Sequence, residues 1–290
     1  MQADVYQCSQ CKLVFLDQES FSYPDDFYQN QYHQTYLTHI DPDMLDPEKH
    51  FSKMQKATAM WIDRVRGLLT GNEVLLDVGC STGHLLAGVR DHTRSVYGQE
   101  LNRKEIDFCQ NKLGLEVSDA PLTERFEENS LDVITLIFVL EHIGNPVQFL
   151  ADLHRCLKPG GKLIIVVPNV MDPLLSLYDI PQFGEFYYCI EHLFYYSPDT
   201  LKILLDRTGF DGEPIGVQEY PVSNHLNWAY RQQPSETLNA RRMGPDLSLQ
   251  DDEVTTEWEA LWENVDGLYR KFLAGAGYYD RVWCVARKSA

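Results

Sequence analysis

The sequence predicts an α/β fold in which a mostly parallel sheet is covered by helices on both faces. Three observations carry that expectation. Short apolar runs, among them VLLDV (74–78), LDVITLIFVL (131–140) and KLIIVV (162–167), have strand length and lack the polar alternation of a half-solvated sheet. Between them lie stretches whose apolar residues recur at helical spacing. Strand and helix therefore alternate, which makes right-handed crossovers and parallel pairing nearly compulsory.

The chain is organised around Glu73 to Gly83, EVLLDVGCSTG. Val74, Leu75, Leu76 and Val78 form a buried strand with Asp77 near its carboxyl end. Gly79 and Gly83 bracket Cys80, Ser81 and Thr82, after which HLLAGVR starts a helix. Here the backbone turns sharply and can approach a ligand with no Cβ in the way, as in a nucleotide pocket at a strand tip. A second strand, Ser95 to Leu101, carries Glu100 at its end. That carboxylate is placed either to accept both hydroxyls of a ribose or to sit in solvent as a loop acid. The glycine spacing is not G-x-G-x-x-G, which argues against a nicotinamide dinucleotide.

The other elements follow in order. Asp46 and Pro47 start a helix in which Met54, Trp61, Ile62, Val65, Leu68 and Leu69 face inward. A helix from Arg103 to Leu113 precedes a third strand, Leu115 to Val117, which ends at Ser118-Asp119-Ala120. The fourth strand, Leu131 to Leu140, leads into Glu141 and His142. Asn145 and Pro146 open a helix that runs to the Pro159-Gly160-Gly161 turn, and a fifth strand spans Lys162 to Val167. Ser197 and Pro198 start a helix stopped by Gly209. The sixth strand, Ile215 to Tyr220, is separated from the last, Tyr279 to Ala286, by about sixty residues that hold two helices, one from Asp252 to Leu273. This insertion is either a cap over the site or a dimer surface. Four regions result: an N-terminal extension (1–45), the core (46–220), a helical insertion or cap (221–277) and the last core strand (278–290).

With a formal net charge of −18 and a pI near 4.8, the chain is a poor ligand for phosphate backbones, so nucleic acid is not an expected partner. No apolar run approaches a membrane span, no signal-type N-terminus is present, and the seven cysteines form no disulfide framework. A cytoplasmic protein is expected. Cys8 and Cys11 make a C-x-x-C, read as a small β-turn rather than a zinc site because no second pair lies nearby. Phe21, Tyr23, Phe27, Tyr28, Tyr32 and Tyr36 crowd one stretch and suit either ordinary packing or a lid over a small polar ligand.

LLDVGCSTG, Glu100 and LKPGGKLIIVVPN occur in the order found in one family. The chain resembles the class I S-adenosylmethionine (SAM)-dependent methyltransferases of types 11 and 23, nearest to bacterial enzymes that modify sugars and other small molecules. The resemblance covers Glu73 to Asn169, about a third of the chain. It implies a Rossmann-like sheet of seven strands, SAM as cofactor, a small-molecule acceptor and a possible homodimer. Cofactor contacts are implied for Asp77, Gly79, Cys80, Gly83, Glu100, Leu101, Asp119, Ala120 and Phe138, with Asp119 equally readable as a turn residue. Some quinone-biosynthesis members carry an acid-x-x-Glu-His set linked to metal. Phe138 stands at its first acid here, so no metal is expected, and His142 is either a substrate-side residue or a histidine satisfied by backbone.

FGEFYYCIEHLFYYS, before the Ser197 helix, resembles a Tyr-x-Glu-His stretch of deoxysugar C-methyltransferases. Glu191 and His192 match it, with Cys189 at the tyrosine position and Tyr188 adjacent. Catalytic roles are thereby implied for His192, as general base, and Glu191, with His142 a competitor at the fourth strand's tip; acceptor contacts are expected for Tyr188 and Tyr195 of this segment and for Tyr28 and Tyr32 of the aromatic stretch read as a lid. The plain alternative is that Glu191 and His192 only pin this segment to the sheet. The Cys8–Cys11 segment resembles the second half of a zinc ribbon found in sugar-modifying members. The extra C-terminal domain of the C-methyltransferases has no counterpart, so O-methylation of a sugar or another small polar metabolite is expected ahead of C-methylation.

Overall fold

Apolar runs buried on both faces form the centre of the sheet. The computed structural model describes residues 4–18, 27, 41–235 and 252–289. A hairpin of β1 (Val5–Gln7) and β2 (Val14–Leu16) comes first. Then follow α1 (Pro47–Ala57), α2 (Ala59–Arg66), β3 (Val74–Val78), α3 (His84–Val89), β4 (Ser95–Gln99), α4 (Arg103–Leu113) and β5 (Glu116–Ser118). Next are α5 (Leu122–Arg125), β6 (Leu131–Ile137), α6 (Pro146–Cys156), β7 (Leu157–Pro168), α7 (Pro173–Ser176), α8 (Pro181–Tyr187) and β8 (Phe194–Tyr195). The chain continues through α9 (Pro198–Arg207), β9 (Phe210–Asp211), β10 (Ile215–Val217), α10 (Val222–Arg231), α11 (Asp252–Ala276) and β11 (Arg281–Lys288).

The main sheet runs β10-β11-β7-β6-β3-β4-β5, and the short β9 pairs beside β10 on β11, so the sheet has eight strands where seven were expected. Pairing from β7 through β5 is parallel, and β11 is antiparallel to its neighbours. Successive side chains on a strand face opposite ways. Thus Leu76, Ile134 and Ile165 pack with Leu150, Leu153, Leu201 and Leu205 of α6 and α9. Leu75, Val133 and Ile164 pack against Trp61, Leu86 and Ile106 on the other face. Among the described residues no helix is long and apolar enough to cross a membrane.

Several boundaries differ from expectation for identifiable reasons. The fourth strand stops at Ile137, because Phe138 takes a left-handed φ of 58° and Leu140–His142 coils into a 3-10 turn. The helix from Asp46 breaks at Thr58, whose hydroxyl donates to the Met54 carbonyl at 2.7 Å. β7 begins at Leu157 and absorbs Pro159–Gly161 in a register shift against β6. β10 ends at Val217, since the Glu219 and Tyr220 amides turn to the Asp280 carboxylate at 2.7 and 2.6 Å. The helix starts at Asp46, Asn145 and Ser197 are as read, each with a side-chain cap.

One ion pair anchors the edge that carries β10 and β11. Arg281 Nε donates to Glu219 Oε2 at 2.7 Å, while Trp61 Nε1 donates to Oε1 at 3.0 Å. All three residues are buried, and Trp61 stacks on Trp283 with centroids 5.6 Å apart. Removing one member of such a pair strands the other charge. Arg281→Met is expected to lower unfolding stability by about 3–5 kcal/mol. Urea denaturation checks this, and a loss below about 1 kcal/mol would contradict it.

Candidate functional site

The carboxyl tips of β6, β3 and β4 lie side by side, and the chain leaves β3 through the glycine turn. Gly79, Ser81 and Gly83 have φ of 68°, 49° and 75°, so the turn runs through left-handed backbone. A Cβ at Gly79 would stand 2.7 Å from Val139 Cγ2, and one at Gly83 would stand 2.7 Å from Leu115 Cδ1. The Gly79 and Cys80 amides both donate to the Gln99 carbonyl, at 2.8 and 3.0 Å. The loop after β6 thus rests directly on the turn after β3.

Glu100 is no solvated loop acid. It is half-buried and accepts from the Ser81 amide at 2.9 Å and from the Leu101 and Asn102 amides at 2.7 and 2.9 Å. Asp77 is buried and accepts from Thr135 Oγ1 at 2.5 Å. Burial lifts its pKa to about 7 against that hydrogen bond, and the nearby Glu100 charge adds to the rise. Cys80 is buried beside Cys109, and their hydrogen bond together with burial pushes its thiol well up. Asp77, Gly79, Cys80, Gly83 and Glu100 therefore share one place. Leu101 is exposed next to it, and Asp119 is exposed past the tip of β5. Ala120 is half-buried, its amide on Ser118 Oγ at 3.1 Å and its carbonyl facing Gln99 Nε2 at 3.4 Å. Phe138 sits on the β6 side, its ring edge-on to Trp61 and under the Arg281 guanidinium at 5.3 Å.

A second contact to the turn escaped the sequence reading. Glu105 Oε1 accepts from Ser81 Oγ at 3.2 Å and faces His50 Nδ1 of α1 at 2.9 Å, with both residues buried. Asn102 caps α4 three residues earlier, so the local signal is a capping box, whose Glu is ordinarily assigned to its own helix. Only the fold shows that the carboxylate also ties α1 to the turn.

On the other side of Gly79, the turn after β6 brings Glu141 and His142 against His192. The two imidazole centroids are 4.8 Å apart. His142 Nδ1 lies 2.7 Å from the Glu191 carbonyl, so that nitrogen is the donor. It is this main-chain oxygen that joins the Glu191-His192 segment to His142. Burial lowers the pKa of His142 to about 4 and holds His192 well below the ordinary imidazole value, so both rings are neutral. Glu141 is 1% exposed, and neither of its carboxylate oxygens finds a hydrogen bond among the described residues. Burial lifts its pKa to about 8, partly countered by Arg281.

Tyr195 is buried, its hydroxyl donating to the Cys189 carbonyl at 3.0 Å, and it packs on the half-buried Tyr188 at 4.9 Å. It forms a wall behind Tyr188. Tyr28 and Tyr32 lie outside the described residues, as does the aromatic stretch around them except for the buried Phe27. Cys8 and Cys11 do form a turn, closed by Cys8 N to the Leu13 carbonyl and Lys12 N to the Cys8 carbonyl at 2.9 and 3.0 Å. β2 of that hairpin pairs with β8, opposing Val14 to Tyr195.

The sequence pattern of the methyltransferase-domain family matches residues 50–214. The chain belongs to the SAM-dependent methyltransferases. This methyltransferase is 31% identical over 193 residues to the ubiquinone/menaquinone biosynthesis C-methyltransferase of Hydrogenovibrio crunogenus, covering 57% of the chain and 76% of that protein. The ubiquinone biosynthesis O-methyltransferase of Pseudomonas paraeruginosa is 28% identical over 43% of the chain and 57% of its own length. Its fold is similar to that of a SAM-dependent methyltransferase from Archaeoglobus fulgidus, with a TM-score of 0.55 at 17% identity over 89% of this chain and all of that one. Phosphoethanolamine N-methyltransferase 2 of Haemonchus contortus in complex with SAM has a TM-score of 0.54 at 18% identity, over 93% of this chain and 60% of that one.

Two outcomes are expected at this site. Glu100→Gln should weaken SAM binding by roughly 1.5–3 kcal/mol, the worth of hydrogen bonds to a charged group, as read by calorimetry. Unchanged affinity would remove Glu100 from the cofactor site. The second concerns pH. Burial places the folded-state pKa of both Glu141 and Asp172 at about 8, above the ordinary carboxylate range. The folded protein then keeps protons that the unfolded chain has lost. This contribution is complete below about pH 4 and disappears as pH rises through about 8. Glu141→Gln should therefore flatten the fall in Tm between roughly pH 5 and 8, and an unchanged slope would contradict the assignment.

Proposed function

We propose that this methyltransferase acts on a hydroxyl oxygen of a sugar or a similar small polar metabolite. The observation that carries the reading is the Glu141–His142–His192 cluster, which stands beside the Gly79 turn with both imidazoles neutral. The sulfonium methyl of SAM is already electrophilic, so an in-line nucleophile and removal of its proton are what the protein must supply. An alcohol gives up that proton reluctantly. The half-buried imidazoles are unprotonated near neutral pH, which is the state in which they can accept it. As the O–C bond forms, the C–S pair returns to sulfur and S-adenosylhomocysteine leaves.

Asp172, Asp280 and Glu219 are buried around Arg281 and are engaged by the protein's own groups, so the reading rests on the cluster alone. C-methylation is the second reading, favoured by the C-methyltransferase among the relatives. It would use the same groups to remove a proton from carbon.

His192→Ala should reduce kcat by roughly 10²–10⁴-fold while SAM affinity and fold are kept. Turnover against a panel of hydroxylated acceptors, with His142→Ala in parallel, checks this. Full activity in His192→Ala with loss in His142→Ala would move the role to His142, and methyl transfer to carbon would favour the second reading.

A further inference from the structure

The cluster after β6 has features that proton transfer alone leaves unexplained. One ligand-bearing atom from each of Glu141, His142 and His192 lies within 4.8 Å of the other two. Bonds of about 2.0–2.2 Å to a central ion would draw them together with small side-chain adjustments. Glu141 has both oxygens buried with no hydrogen bond among the described residues, and His192 Nδ1 is likewise buried without one. A carboxylate in that position is costly unless it is protonated or binds a cation. His142 donates from Nδ1 to the Glu191 carbonyl, which leaves the lone pair on Nε2. A backbone carbonyl on the far nitrogen is how metal-binding histidines are commonly oriented.

We propose that Glu141, His142 and His192 bind one divalent transition-metal ion. Two imidazoles and one carboxylate suit zinc, iron or manganese better than calcium or magnesium, whose sites are built from oxygen. Three protein ligands leave positions open for an acceptor. The third ligand comes from a segment fifty residues beyond the first two, and Phe138 occupies the place where a nearby acid would complete a local set. Glu141 and His142 are adjacent, but no spacing in the sequence points to His192 as their partner. Among the described residues the facing cation is Arg281, and its charge is already met by Glu219 at 2.7 Å and by the neighbouring Asp280 and Asp172.

The role of the ion rests on the hydroxyl reading above, whereas its binding does not. The acceptor oxygen would take an open position, and the positive charge would lower its pKa so that the proton leaves to solvent. The bound alkoxide then attacks the methyl carbon as the C–S bond breaks. With an ion bound, its lowering of the hydroxyl's pKa would replace the proton acceptance assigned to the imidazoles above, His192 would serve as a ligand, and one proton would be released for each S-adenosylhomocysteine formed.

The test uses the full chain with Cys8→Ser and Cys11→Ser, so that surface thiols do not compete for metal. After chelator treatment, titration with Zn²⁺ by calorimetry and with Co²⁺ by visible absorption should each show one site. Glu141→Gln and His192→Gln should weaken it at least about tenfold, with SAM binding retained as the control for folding. The proposal is overturned if no site appears, or if neither substitution affects it. Full turnover of the stripped protein would overturn the role of the ion in the reaction. A bound ion without methylation of any hydroxyl acceptor would leave the site standing and remove the hydroxyl reading instead.

Discussion

The carboxylate of Glu100 sets the shape of the cofactor turn, and the rest of the site is built outward from it. Ser81 has a positive φ, a conformation that costs a residue with a side chain about 1–2 kcal/mol. Its amide donates to the Glu100 carboxylate at 2.9 Å, and such a hydrogen bond is worth about 0.5–1.5 kcal/mol net. Asp77 lies close enough to feel that charge, yet is buried. The two acids share a strand-tip site and divide their roles: Glu100 accepts from three amides at the edge, while Asp77 is held toward its protonated form by burial and bonded to Thr135. The left-handed glycines on either side then let the loop after β6 and the end of α4 close in from both sides.

The centre of the sheet was legible because its runs are apolar on both faces and its helix starts carry strong capping residues. Asp46, Asn145 and Ser197 cap their helices as their chemistry dictates. What could not be read were choices made by distant partners. The early end of β6 follows from the left-handed Phe138, whose ring is taken up by Trp61 and Arg281. β10 stops because Asp280, more than sixty residues on, captures the next amides. Arg281 begins the last strand and reads as an ordinary polar residue there, yet it is buried on Glu219. The pairing of Glu105 with His50, and the approach of His192 to Glu141, join segments that share no local pattern.

The helical insertion is bound to the core through polar contacts. Asp266 of α11 accepts from the Val222 amide at the start of α10 at 2.8 Å and from Arg270 Nε at 2.5 Å. Arg270 in turn donates to the Gln218 and Glu219 carbonyls. Tyr269 links to both His225 and Tyr178, so α11 reaches the segment just after α7. The segments 218–222 and 173–178 are thus connected to α11 by hydrogen bonds, which lets a change in α11 reach Glu219 and its pairing with Arg281.

β11 lies between β7 and β10, although it follows both in the chain. A growing chain therefore exposes the edge of β7 until residues 281–288 have emerged from the ribosome. Up to that moment Glu219 has no guanidinium and β10 has no partner strand. The part of the sheet around the glycine turn can assemble during synthesis, while the gap between β7 and β10 is closed only once residues 281–288 follow. Any nascent chain that stalls before Arg281 presents an open, apolar strand edge, the kind of surface that chaperones engage and that aggregates form on.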